Sequence, residues 1–580
     1  MFERRTLLAL VIVGIVLLLL PQYYKLISPP ASAPQQTAAP ADTTAPARPD
    51  TSLLPKTPVH AIPVTAAPET TPAAPAVVSS GPDTAALIED YVTIATPLYQ
   101  MALGSNAMVS HYALTRYSLD SGAPVELHHA AEWGQPIMGA VDFDLGPRDF
   151  KSLVDLRFQA NKRSIDAKTS VDSVIFERRD AEGQMVWLTY VFHPDRYGFD
   201  VRLRTQGLPT TETGEFKARW VGGVPLTEAD AAREITYAGS YAKVGQELEK
   251  MSLGGDKTKD FTATGVTHFV AVRSKYFMAA LIPVNDDAGG ADLHGQSETP
   301  RAGPLFYDCT LRHPWGTNAS GYWSVYWGPI RLEELRSAHP GLEETMNWGW
   351  TIIRPFSRLT LWALTGLYSV IHNYGVVIVL FSLMVKVILW PLTRKSQVSM
   401  KKMAALQPEM ARIREEHKKN PQAANTEIMK LYKERGVNPA AGCIPLLIQM
   451  PILYGLFVIF SSTIEFRQAP FMLWITDLSR PDYITKLPFA IPLYGAYVAV
   501  LPLIMGVSQF FMSKRTVTDP NQKMMLYFMP IFMLMIFNKL PSGLTLYYTL
   551  FNLLAIVEQN LIKLPDFGSV TVVEEKSSRK

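Results

Sequence analysis

Cysteine is almost missing from this chain: there are two in 580 residues, Cys309 and Cys443. One lies in a charged stretch and the other opens an apolar run, which excludes a disulfide framework and a cysteine-based metal site. Each is read as a free, inert thiol. Net charge is nearly missing too. The 55 Lys and Arg against 52 Asp and Glu leave +3, so global charge does not select nucleic acid as a partner. The charged first half has no metal-ligand spacing, no G-x-S-x-G elbow and no glycine-rich phosphate loop, and no catalytic residue, metal or cofactor is assigned there. The apolar second half lacks paired mid-run acids and inverted repeats, which argues against a small-solute transporter or channel.

What is present divides sharply. Hydrophobic residues make up 48 % of the chain, but they are concentrated. Residues 83–340 read as a soluble domain with scattered charges, whereas 347–562 contain several runs long enough to cross a bilayer at about 20 apolar residues each. At the start, Arg4 and Arg5 precede an apolar run from Leu7 to Leu20. This is either a retained anchor (1–27) or a cleavable signal, since Ala31-Ser32-Ala33 offers a small-x-small site. Both readings export the residues beyond it. Residues 28–82, dominated by Pro, Ala and Thr, form a disordered tether.

The exported domain is predicted to be a β-sandwich. Tyr197–Arg204 alternates apolar and polar residues, and Val186–Phe192 is aromatic and β-branched. Further short runs succeed them, with a weaker helical stretch near Thr227–Arg233. Trp187, Trp220, Trp323 and Trp327 could stack on sugars, as in a membrane-anchored carbohydrate-active enzyme, but core aromatics are the commoner explanation.

The membrane half is predicted to hold an interfacial amphipathic helix (341–372) and spans at 373–392, 438–464, 487–512, 524–540 and 541–562. With the N-terminal segment these make six, in a polytopic α-helical membrane protein. The loop 393–437 carries eleven Lys or Arg against five Glu. The positive-inside rule places it in the cytoplasm, with the loop 513–523 and the tail 563–580. The loop 465–486 then faces outward, with Trp474 as an interface anchor. Met403, Leu406, Met410 and Ile413, then Ile428 and Leu431, predict a helical hairpin kinked at Pro408. It is either simply solvated or a docking surface through Lys401, Lys402, Arg412, Arg414, Lys418 and Lys419.

Lys386 lies six residues before Leu392, about 9 Å from the cytoplasmic end of its span. Glu465 and Glu558 both sit near helix ends, so no acid is expected to pair with it. It either snorkels to the headgroups or faces water. Ser382 one turn away, with Gln449, Ser508, Gln509, Thr545, Tyr548 and Asn552 on other spans, favours a hydrated cavity. Pro451 and methionines including Met450, Met529 and Met533 supply an adaptable apolar surface.

The run Asn438-Pro-Ala-Ala-Gly-Cys-Ile-Pro-Leu-Leu-Ile-Gln-Met-Pro451 resembles the third-span signature of the YidC membrane protein insertase family. Trp390–Thr393, Arg467–Phe471, Thr518–Pro520 and Leu540–Tyr548 agree with it. The resemblance covers about Trp348 to Ile562, and the exported domain resembles that of the Gram-negative form. It implies an inner-membrane protein whose first span is retained and whose β-sandwich is periplasmic. It also implies a hydrophilic inner-leaflet groove lined by Lys386, Ser382, Gln449 and Tyr548, and a slide for the client's apolar helix along the third and fifth spans. The implied partners are nascent membrane proteins, the Sec translocon, the lipid bilayer and, at the hairpin, a ribosome or targeting receptor, with no small-molecule substrate. The family's groove cation is usually Arg. Lys386 keeps the charge and loses the planar fork.

Overall fold

Alternation along the chain becomes sheet wherever one face is buried. Phe199–Gln206, for example, buries Val201, Leu203 and Thr205 and exposes Arg202 and Arg204 between them. The computed structural model describes residues 91–561, apart from 129–137, 147–150, 212, 286, 301–302, 317, 438–443 and 517–522. The N-terminal segment, the tether, Cys443, the Thr518–Pro520 motif and the tail lie outside the described residues.

Among the described residues two sheets build the strand-rich domain. The larger runs, strand by strand, Ala140–Asp144, Glu215–Val221, Phe306–Pro314, Ala288–Gln296, Thr258–Arg273, Phe277–Pro283, Ser320–Pro329, Phe199–Gln206, Met185–Phe192, Asp172–Arg179 and Gln159–Ala160. Gly239–Val244 also pairs with Thr258–Arg273 and carries Glu247–Met251 on its other edge. The smaller sheet has five strands, four of them between Val92 and Glu126, with Ser164–Asp166 joining in parallel. Tyr112 stacks on Trp327 at 4.0 Å and donates to its carbonyl at 2.7 Å, joining the sheets. Trp220, Trp323 and Trp327 are buried in this core and offer no face to a sugar. Cys309 is a free, buried thiol. The predicted helical stretch forms one short turn, α1 (Ala231–Ile235), and α2 (Leu332–Ala338) comes after the last large-sheet strand.

Among the described residues eight further α-helices follow: α3 (Arg354–Ile371), α4 (Tyr374–Ala405), α5 (Gln407–Glu416), α6 (Pro421–Glu434), α7 (Ile444–Ser462), α8 (Val500–Thr516), α9 (Lys523–Phe537) and α10 (Ser542–Leu561). Among the described residues, α4 alone combines the length and apolar composition to cross a membrane by those criteria; α7, α8 and α9 contain shorter apolar helices.

Three expectations need correction. First, the span predicted at 487–512 begins later. Tyr483–Ile491 and Gly495–Ala499 form an antiparallel hairpin. Pro488 and Pro492 disfavour a helix, and Leu493 and Gly495 adopt positive φ at the turn. Helix α8 starts only where Asp482 Oδ2 accepts from Val500 N and Leu501 N. The same oxygen accepts from Trp474 Nε1 at 2.9 Å. Second, α4 does not stop at Leu392. It continues through Pro391 to Ala405. Third, Pro408 does not kink a helix: it occupies the first turn of α5, where its missing N–H costs nothing. Leu406, Met410, Ile428, Leu431, Tyr432 and Val437 bury against one another in the α5–α6 hairpin, in a cluster separate from the main core.

Candidate functional site

Helix α4 sorts its side chains by face. Val377, Ile378, Phe381, Ser382, Val385, Lys386, Thr393 and Ser396 are buried, while Leu383, Val387 and Ile388 are exposed. That three- and four-residue spacing turns Lys386 into the helix bundle rather than along its outside. The cation therefore does not snorkel.

Nor is it unpaired. Lys386 Nζ lies 2.6 Å from Glu558 Oε2, with side chains 8 % and 2 % exposed. The ammonium also stands 4.4 Å from the centre of the Phe551 ring. Glu558 Oε1 accepts from the Thr393 hydroxyl at 2.8 Å. The expectation that no acid reaches Lys386 fails for a physical reason: the long α4 continues beside the last turn of α10, so a residue near a helix end is still enclosed. Glu558 and Thr393 belong to the site and were missed. The signal was present. Glu558 lies two turns beyond Phe551 on one face of α10, and Thr393 lies two turns beyond Lys386 on α4.

The other groove candidates are gathered inside the bundle. Ser382, Gln449, Ser508, Gln509, Tyr548 and Asn552 are all buried. The ends of α7, α8 and α10 that meet the 464–499 loop set a common reference: Gly543 N donates to Leu478 O, and Thr463 continues from α7 directly into that loop. At 1.5 Å per residue from those ends, Gln449, Gln509, Asn552 and Glu558 lie at depths of about 14–24 Å, and Lys386 about 18 Å along α4. They occupy the same half of the bundle.

Two of the hydroxyls are already engaged: Ser382 donates to Ile378 O and Ser508 to Met505 O, each at 2.7 Å. By contrast, Gln449 Nε2, Gln509 Oε1, Asn552 Nδ2 and Tyr547 OH are buried without a hydrogen-bond partner. Such groups are costly in a dry apolar interior and natural in one that admits water. Of the slide candidates, Met450 is exposed, and Pro451, Met529 and Met533 are half-buried.

The basic candidates divide. Lys401 donates to Gln559 O at 2.9 Å, tying the end of α4 to α10. Arg412 pairs with Glu416 at 2.9 Å and Lys418 with Glu415 at 3.8 Å, all on exposed surface. Lys402 and Arg414 are half-buried, and Lys419 is exposed. Among the described residues no cluster of His, Cys, Asp and Glu is arranged to hold a metal.

On the opposite side, the 464–499 loop meets the strand-rich domain through charge. Glu228 Oε1 accepts from Arg467 Nε at 2.6 Å and Oε2 from Arg480 at 2.5 Å. Burial alone would raise the Glu228 carboxyl, but the two guanidiniums overcome it and hold the group below the ordinary range. Arg480 reaches on to Asp120 at 2.6 Å.

A strand-rich domain is joined here to an apolar helix bundle with a buried, partly unsatisfied polar interior, and comparison with known proteins places that combination in the class of membrane protein insertases. Residues 366–566 match the family model described as 60Kd inner membrane protein, and 91–359 match the YidC periplasmic domain. The membrane protein insertase YidC of Chlorobaculum parvum is 35 % identical over 537 residues, covering 89 % of each chain. That of Chloroherpeton thalassium is 37 % identical over 417 residues, covering 70 % of this chain and 71 % of the relative. A crystal structure titled as an active YidC insertase with its first transmembrane domain resolved aligns over 83 % of this chain at 18 % identity, with a TM-score of 0.35. The chain belongs to the YidC membrane protein insertase family. It is an inner-membrane protein with a strand-rich periplasmic domain.

Proposed function

We propose that this protein inserts and folds nascent inner-membrane proteins, alone or with the Sec translocon, through a hydrophilic groove open to the cytoplasmic leaflet. The observation that carries the reading is the buried Lys386–Glu558 pair set in the same half of the bundle as Gln449, Gln509 and Asn552, each with an unpartnered polar atom. A hydrophilic segment of a client entering there exchanges bulk water for these groups, which lowers the barrier that hydrocarbon imposes on polar and charged atoms. The client's apolar helix meanwhile passes along Met450, Pro451, Met529 and Met533 into lipid, and its burial there drives the step. No covalent chemistry is involved.

In the full topology, six spans place the domain outside and the α5–α6 hairpin inside. The exposed Arg412, Lys418 and Lys419 then face the cytoplasm, where a ribosome, a targeting receptor or anionic headgroups would meet them. Site-specific photocrosslinking tests the groove. A photoreactive residue at Ser382, Gln449 or Tyr548 is expected to form adducts with a stalled membrane-protein nascent chain, whereas one at exposed Arg204 of the periplasmic domain is not. Absence of adducts at all three groove positions would overturn the reading.

A further inference from the structure

Helices α3, α4 and α7 to α10 contain one acid between them, Glu558. It stands against the buried cation of α4. We infer that Glu558 is a resident counter-anion occupying the place a client's carboxylate would take on Lys386, so that acidic segments are admitted by exchange and Glu558 sets how much acid a client must carry. This rests on the groove reading above and adds its specificity-determining residue.

Four features carry it. The ammonium is enclosed by Oε2 at 2.6 Å and the Phe551 ring at 4.4 Å, so a second anion cannot reach it while Glu558 stays. The pair is close but incompletely bonded: Oε2 faces Nζ without the alignment of a hydrogen bond and has no other hydrogen-bond partner. Glu558 also has a second holder, since Oε1 accepts from Thr393. A carboxylate losing the ammonium thus keeps one bond, and it sits three residues from Leu561 at the end of α10. Finally, the unpartnered amides of Gln449, Gln509 and Asn552 stand ready to bind a polar newcomer.

The energetics favour exchange over simple addition. Removing one member of a buried ion pair leaves an uncompensated charge, so Glu558 cannot leave until another anion replaces it. A segment without acids meets a closed pair. One with a single acid competes evenly with Glu558, and one with two acids has the advantage. Selection therefore arises from a competing interaction as well as an attractive one.

The test uses the full chain in membranes, with p-benzoylphenylalanine in place of Tyr548. The probes are ribosome-stalled clients whose hydrophilic segment carries zero, one or two Asp ahead of one apolar helix. With wild-type Lys386 and Glu558, adduct yield should rise mainly between one and two Asp. In Glu558→Gln the one-Asp client should gain at least three-fold and match the two-Asp client. Lys386→Gln combined with Glu558→Gln should retain a basal yield that no longer depends on Asp number. If Glu558→Gln does not accumulate because a lone Lys386 is buried, this double variant decides alone: persistent dependence on Asp number overturns the inference. An unchanged one-Asp yield in a folded Glu558→Gln also overturns it while leaving the groove standing. No adduct from Tyr548 with any client in the wild-type background overturns both.

Discussion

Glu228 of the periplasmic domain and Arg467 of the loop after α7 form an ion pair 2.6 Å long, with side chains 4 % and 2 % exposed. Arg480 closes on the other oxygen of the same carboxylate. The domain is thereby fastened to the loop that leads into α8 and accepts hydrogen bonds from the first residues of α10. Replacing Glu228 by Ala strands a buried guanidinium and should cost about 3–5 kcal/mol. Arg480→Ala should cost less, since Arg480 and its partner Asp120 are partly exposed and Glu228 keeps Arg467. Thermal unfolding of the purified full chain, with limited proteolysis at the junction, would show the difference. The Glu228 carboxyl is held below its ordinary 4.5, so its contribution is present above pH 4.5 and is lost as pH falls through the lower folded value.

Glu234 behaves in the opposite sense. It is fully buried, one oxygen accepts from Thr227 N and Glu228 N, and burial pushes its carboxyl from 4.5 up to about 7. Between those values the folded chain holds more protons than the unfolded one, so stability from this residue is complete below pH 4.5 and declines as pH rises through 7. Glu234→Gln keeps an accepting oxygen and never ionises. It should raise the melting temperature at pH 8 and match wild type near pH 4, which fluorescence-detected melting across that range would check.

Gly375 admits no larger residue. A Cβ there would lie 1.9 Å from Phe471 Cδ2 and 2.5 Å from its Cβ, so rotating the ring does not relieve the clash. Gly375→Ala should cost about 1–3 kcal/mol through overpacking, and Phe471→Ala in the same chain should recover much of it. A double-mutant cycle on melting temperature reads the coupling.

The α5–α6 hairpin has its own small core. Leu431→Ala should therefore destabilise it locally by about 2–5 kcal/mol. Hydrogen exchange is expected to quicken across 403–437 and to stay unchanged in α7 and α10. Equal acceleration in the bundle would contradict the separation of the two cores.

Much of this architecture can be read from residue order because burial imposes a period. Alternation at Tyr197–Arg204 and the stripe through Met403, Leu406, Met410 and Ile413 each correspond to elements with those faces buried. Hydropathy alone fails at Leu487–Ala499, which is apolar enough for a span but is cut by two prolines and a turn into a hairpin. It also fails at Glu558. Proximity to a helix end suggests exposure only if neighbouring helices end at the same height, and α4 outruns the span expected from its hydropathy by thirteen residues, from Leu392 to Ala405. The candidate groove residues are legible by type; their pairing depends on which helices touch.

The continuity of α4 has a mechanical consequence. Its 32 residues make a rod of about 48 Å, pinned near one end where Phe471 lies over Gly375 and joined at the other to the hairpin. Pro391, which cannot donate to Val387 O, weakens the rod between Lys386 and Thr393, the two residues that grip Glu558. Glu558 therefore bridges α4 across the turn that the proline weakens. Lys401, bonded to Gln559 O, fastens the far arm to the same stretch of α10, so that α4 is splinted on both sides of its weakest turn.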